Sequence, residues 1–202
     1  MATTMGGKVS YVLEGNINYT GAVTRWVVDD LHLLASSAEA GSVAAQADPE
    51  DSTYLVPAFT GLGAPYWRPE ARAVFWGMSR TTGRAELVKA AEECIAYQIA
   101  DVVRAMEVDS GVRIGELRVD GGPTRDRYLM QFQSDLLDIA VAVPEHEELS
   151  GIGAAYCAGI AAGVYDSAVL ARGKRTDFIP RQDGTWRERR YQGWKNAVSK
   201  LL

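Results

Sequence analysis

The residues best suited to chemistry are Leu117-Arg118-Val119-Asp120-Gly121-Gly122, a short strand-like run that ends in two glycines and leads into a helical pattern. Paired glycines remove the Cβ atoms that would hold a ligand away from the backbone. A helix behind them offers free N–H groups and the positive end of its dipole to an anion or polar group. That arrangement suits a nucleotide. The same strand–Gly–Gly–helix connection also serves as a plain tight turn, and these six residues alone leave both readings open.

Other candidates are weaker. Asp183-Gly184-Thr185 has the look of a phosphate-binding turn, but no strand precedes it and it lies in the tail, so it reads as an ordinary turn. His32 falls in an amphipathic helical pattern and His146 in an acidic loop, and neither has a partner at metal-ligand spacing. No metal ligand and no catalytic residue is assigned. Glu145, Glu147 and Glu148 read as a solvated loop whose charge favours the start of the next helix. Trp186, Tyr191 and Trp194 stand among Arg187, Arg189, Arg190 and Lys195, a mixture that could stack on nucleic acid. Their place in a C-terminal helix fits docking onto the domain better.

The elements that must position the glycine turn follow from periodicity. Residues 11–15 read as a short strand and 22–34 as a helix, with Val23, Trp26, Val27, Leu31 and Leu34 on one face. Residues 35–52, rich in Ala, Ser and acids, predict a solvent-facing connection with a short helix near 41–47. Residues 54–59 and 73–78 read as short strands around a Gly- and Pro-rich loop at 60–69. The clearest helix is 84–106, where Leu87, Ala91, Cys94, Ile95, Ile99, Val102, Val103 and Met106 recur at helical intervals. Strands at 116–119 and 139–143 flank a helix at 125–137. A small-residue helix at 151–164, suited to close packing on a sheet, and a basic amphipathic helix at 187–202 complete the chain. Alternating strands and helices predict an α/β fold, a mixed sheet flanked by helices.

Composition narrows the function. The chain has 202 residues, 47% apolar and 23% charged, enough for a globular core. A net charge of -5 argues against nucleic acid or an anionic membrane as partner. Cys94 and Cys157 each lie in an apolar helical pattern, which predicts buried thiols of a reducing compartment and no disulfide. With no apolar run in residues 1–10 and none of membrane-spanning length, a cytoplasmic protein is expected.

Several blocks carry a resemblance. Val119-Asp120-Gly121-Gly122 with Tyr128-Leu129-Met130-Gln131-Phe132-Gln133-Ser134-Asp135 closely resembles the FGGY carbohydrate kinases of the glycerol kinase type. So do Leu13-Glu14-Gly15, the loop from Val56-Pro57-Ala58-Phe59 through Thr60-Gly61-Leu62-Gly63 to Ala64-Pro65-Tyr66-Trp67, and Gly153-Ala154-Ala155-Tyr156. They occur in the family's order from about Val9 to Ala197. The resemblance implies that residues 1–202 form the C-terminal, nucleotide-binding domain of such a kinase, with an actin-like, ribonuclease H-like fold.

In that family the second domain holds adenine and ribose, while the first supplies the phosphate loop and most substrate contacts. Carried over by position, Gly21, Arg25, Gly121, Gly122 and Asp126 become the nucleotide-binding set, with Gly122 acting through its backbone. Two of these depart from glycerol kinase, where Gln is usual at the Arg25 position and Asn at the Asp126 position. Arg25 suits a phosphate. Asp126, once ionised, only accepts hydrogen bonds. The segment 123–127 also differs, so the substrate is left open among polyols and sugars.

The resemblance therefore implies ATP or ADP as ligand, Mg²⁺ as its companion, and a polyol or sugar held mostly by a first domain. It implies neither a nucleic-acid nor a membrane partner and leaves homo-oligomerisation open. The phosphate loop and the catalytic aspartate belong to the family's first domain, so this chain is expected to be a kinase half, inactive alone. The competing reading is a non-catalytic nucleotide-binding or interaction domain derived from such a kinase.

Overall fold

A computed structural model of the chain describes residues 2–5, 8–146, 148–171 and 173–202. Strands β1 (Ala2–Met5) and β2 (Lys8–Tyr11) pair antiparallel, Ala2 opposite Tyr11. The strand expected at 11–15 therefore lies earlier; only Tyr11 belongs to it. Helix α1 (Gly21–Asp29) buries Val23, Thr24 and Val27. It stops short of the expected residue 34, and His32, at a φ of 53°, already lies off the helical path.

A 3-10 turn at Ser37–Glu39 leads into α2 (Ala40–Ala44). The Glu39 carboxylate accepts from the Ser36 and Ala35 amides and so fixes the entry to the turn. The expectation of a solvent-facing connection fails here. Ala40, Val43 and Ala44 are buried against the long helix that follows, because small side chains let two helices approach closely.

Strands β3 (Tyr54–Val56) and β4 (Val74–Trp76) pair antiparallel, with Leu55 opposite Phe75. Helix α3 (Arg84–Ser110) has 27 residues, about 40 Å of rod at 1.5 Å per residue. Its buried positions run nearly all round between Val88 and Val103, so it is the central post of the domain. Glu86 accepts from the Gly83 amide at 2.9 Å to cap its start.

Strand β5 (Glu116–Arg118) runs parallel to β6 (Ala140–Pro144), and α4 (Arg127–Leu137) lies between them in the chain. Helix α5 (Leu149–Ala161) and strand β7 (Arg175–Phe178) follow, and β7 pairs antiparallel with β6. The three-stranded sheet β5-β6-β7 is thus mixed, in accord with the expected fold class. The polar segment of β7 carries no apolar alternation and escaped the sequence reading. Helix α5 was expected to pack closely on a sheet, yet none of its residues is buried. Cys157 on it is consequently exposed, whereas Cys94 is buried as expected; both are free thiols.

Helix α6 (Gly184–Ser199) closes the domain. The Asp183 carboxylate accepts from the Trp186 amide at 2.8 Å, so the Asp-Gly-Thr string is a helix cap. Trp194 stacks on Tyr97 with ring centroids 5.2 Å apart and planes 6° from parallel. Asp101 on α3 accepts from Tyr191 at 2.5 Å and Trp194 Nε1 at 2.7 Å on α6, and from Tyr66 at 2.9 Å. Arg190 is paired with Glu93 in the interior. The aromatic residues of the basic tail thus dock the helix on the core. Trp67, by contrast, is 73% exposed.

Candidate nucleotide cavity

The five residues assigned by resemblance come from segments far apart in the chain. The turn Gly121–Gly122 brings two of them to the end of β5. Gly121 adopts φ 86° and ψ 177°, a region open essentially to glycine alone. Its carbonyl accepts from the Thr124 amide at 3.1 Å and from the Thr124 hydroxyl at 2.7 Å. Those bonds wind Gly122–Arg125 into a 3-10 turn ahead of α4.

The glycine pair therefore feeds a 3-10 turn first, and not straight into the α-helix that the sequence predicts. The N-terminus of α4 is also not open: Asp126 Oδ1 accepts from the Tyr128 amide at 2.8 Å and the Leu129 amide at 3.2 Å. The carboxylate satisfies donors that would otherwise have faced an anion. Two of the free helix N–H groups expected from the sequence are thus taken by Asp126.

Between this turn, α1 and α2 lies a cavity of about 1030 Å³. One wall is α1, through Gly21, Thr24, Arg25 and Val28. A second is the segment 35–42 with Ser36, Ser37, Gly41 and Ser42, and a third runs from Gly122 to Tyr128. Glu92 of α3 closes the set. Gly21, Arg25, Gly122 and Asp126 all line the space. Gly121 does not; its part is to bend the chain. A Cβ on Gly122 would meet no atom within 4 Å, so the backbone there faces open volume.

The walls are knit at one point. Thr24 Oγ1 of α1 donates to Glu92 Oε1 of α3 at 2.8 Å. Glu92 and Asp126 are neighbouring carboxyls in the lining of the cavity. A Cβ on Gly41 of α2 would come 2.1 Å from Asp126 Oδ1, so only glycine lets α2 sit this close. Burial, and next the charge of Asp126, raise the Glu92 carboxyl to about 7, against the opposing pull of the Thr24 hydroxyl. Arg25, Arg125 and Arg127 stand on the exposed side of the cavity and make that rim cationic.

Sequence reasoning missed Thr24, Glu92 and the whole 35–42 wall. Glu92 did leave a signal, an acid four residues from Val88 on the apolar face of α3. Among the described residues no group of three or more His, Cys, Asp or Glu could hold a metal ion. None of their helices is long and apolar enough to cross a membrane.

Known proteins give the site its context. Residues 1–162 match the family model of the FGGY family of carbohydrate kinases, C-terminal domain. A glycerol kinase of Haemophilus influenzae is 45% identical over 206 residues, covering all of this chain and 41% of that protein. One from Aliivibrio fischeri is 44% identical over 95% of the chain. The chain thus spans about two fifths of the length of the curated relatives it matches. Among solved structures, Plasmodium falciparum glycerol kinase with ADP superposes with a TM-score of 0.82 at 32% identity, covering 90% of this chain and 37% of that one. A xylulose kinase from Rhodospirillum rubrum does so with a TM-score of 0.74 at 25% identity, covering 91% and 38%.

Proposed function

This chain belongs to the FGGY family of carbohydrate kinases, and on that premise we propose that it is the nucleotide-holding half of an enzyme that phosphorylates a polyol or sugar from ATP. The observation that carries the reading is the cavity of about 1030 Å³ on which Gly21, Arg25, Gly122 and Asp126 converge from separate elements. Its size falls at the upper end of small-ligand sites, which run to about 1000 Å³. The glycerol kinase of Plasmodium falciparum was solved with ADP, which supports the same ligand class here.

In this reading the chain binds and orients. The bare backbone at Gly122 allows close approach, the hydroxyls of Ser36, Ser37 and Ser42 suit ribose or base edges, and Arg25 suits a phosphate. Phosphoryl transfer rests on positioned phosphates and a base for the acceptor hydroxyl. The base and the phosphate loop belong to the first domain of the kinase in this reading, as does most of the substrate site. Mg²⁺ accompanies the nucleotide phosphates, and the described residues offer no acidic cage for it. Glycerol is the first acceptor to test, given relatives at 45% identity, and the enzyme is expected in the cytoplasm.

The test is calorimetric titration of ADP into the full-length protein and its Gly122→Val and Arg25→Ala variants, with phosphorylation of a polyol and sugar panel alongside. Gly122→Val should weaken ADP at least about tenfold, or 1.4 kcal/mol. Because a side chain there meets nothing in the empty protein, folding should survive. Arg25→Ala should weaken ADP less, its charge being exposed and screened. Unchanged affinity in folded Gly122→Val would remove the turn from the site.

A further inference from the structure

Asp126 cannot be satisfied by the helix it caps. Its Oδ1 accepts two amides, but its Oδ2 is buried without a donor. The neighbouring carboxyl in the same cavity lining is that of Glu92, itself 2% exposed and held by Thr24. Two ionised carboxylates are both acceptors, so contact between them requires a proton on one. We infer that Glu92 is a positioning residue for the cavity, holding Asp126 and the start of α4 against α2 through a single proton carried between the two carboxyls. The ligand affinity of the cavity is thereby tied to that proton.

The surroundings isolate the pair. On α3, Lys89 donates to the Asp48 and Asp51 carbonyls, and Glu93 is taken by Arg190 and Tyr128. From α1 come Thr24, with Arg25 and Asp29 at the exposed rim; from the third wall come Arg125 and Arg127, also exposed. From α2 the pair meets Gly41, which cannot yield without opening the wall. When the proton leaves, two adjacent buried charges repel, and the elements free to part are α2 and the 122–126 turn. Both are cavity walls. An anionic nucleotide adds charge to the same space and so favours the protonated pair.

The sign follows from a folded-state carboxyl at about 7 against an ordinary 4.5. The folded protein holds the proton more tightly than the unfolded chain. Its contribution to stability is full below the unfolded value, declines as pH rises between the two, and is gone above the folded value. Ligand affinity behaves differently: it is level while the pair is protonated and falls once pH passes about 7.

The ligand half of this inference rests on the nucleotide reading above; the carboxyl pair does not. Glu92→Gln tests both, since an amide can accept from Thr24 and donate to Asp126 Oδ2 at every pH. Melting temperatures of the full-length protein, wild type and Glu92→Gln, should diverge as pH rises from about 4.5 to about 7, with the wild type losing ground. ADP affinity of the wild type should fall about threefold or more between about pH 6.5 and about pH 8.5 and stay level in the variant. Calorimetry of the wild type near pH 7.5 in buffers of different ionisation heat should register proton uptake on ADP binding, a measurement that needs no variant. Parallel melting profiles would overturn the carboxyl pair. Divergent melting with pH-independent ADP affinity and no proton uptake would overturn the positioning role. Failure of ADP to bind at any pH would overturn the nucleotide reading and the ligand half with it, while the melting profiles still decide the pair.

Discussion

Replacing Gly41 by alanine isolates the packing of α2 on the cap of α4. The new Cβ would stand 2.1 Å from Asp126 Oδ1, 2.7 Å from its Cγ and 2.8 Å from Oδ2. Comfortable carbon contacts begin near about 3.5 Å, so the pair must separate by roughly 1.4 Å. Asp126 is short and pinned by two backbone amides, so it cannot swing away freely. Giving up that cap costs about 1 kcal/mol, and keeping it by overpacking costs about 1–3 kcal/mol instead. Against this, Gly→Ala in a helix gains up to about 1 kcal/mol, less in a helix of five residues. The loss wins, by up to about 2 kcal/mol. In an Asp126→Ala background the obstacle is gone, and Gly41→Ala should be neutral or stabilising. Urea unfolding followed by circular dichroism on the two single variants and the double gives the coupling, expected at about 2 kcal/mol. A Gly41→Ala protein as stable as the wild type, or simple additivity in the double, would refute the close-packed junction.

Two further substitutions probe the docking of α6. Asp101→Ala should cost about 3 kcal/mol in the same unfolding assay, because it strands the buried Trp194 and Tyr191 donors, while Asp101→Asn should cost about 1 kcal/mol or less by keeping an acceptor for Trp194. Burial raises the Asp101 carboxyl above its ordinary 3.8, more than its three donors lower it, so wild-type stability should rise relative to Asp101→Asn as pH falls toward that ordinary value. Glu93→Ala leaves the Arg190 guanidinium buried and uncompensated and should cost about 3–5 kcal/mol, measured as the shift in the urea midpoint.

Much of the framework was legible because it rests on local pattern. The helical spacing from Leu87 to Met106 marks α3, and the apolar runs at Leu117 and Val141 mark the parallel strands. The resemblance, not the spacing, brought Gly21, Arg25, Gly122 and Asp126 together, and all four line one cavity. What escaped depends on tertiary partners. Residues 35–47 carry the Ala and Ser of a solvated connection, and only α3 turns them into a buried wall. The sequence marks Asp126 only as a nucleotide contact; its part as the cap of α4 depends on the 3-10 turn that places it one residue before that helix. Helix α5 is apolar enough to predict burial, yet its Leu149 is 38% exposed and none of its residues is buried.

The length of α3 has a mechanical consequence. Glu92 and Asp101 are nine residues apart, which at 100° per residue sets them on opposite sides of the rod, about 14 Å along its axis. One side carries the cavity floor, and the other is bolted to α6 by Tyr191 and Trp194. A force applied at the cavity therefore meets a beam anchored from behind and has to be taken up by the lighter wall, the five residues of α2 and the 3-10 turn at Gly122–Arg125. The domain is built as a fixed jaw and a compliant one. Hydrogen exchange should find the amides of α3 among the slowest in the chain and those of α2 among the quickest to respond when a ligand enters.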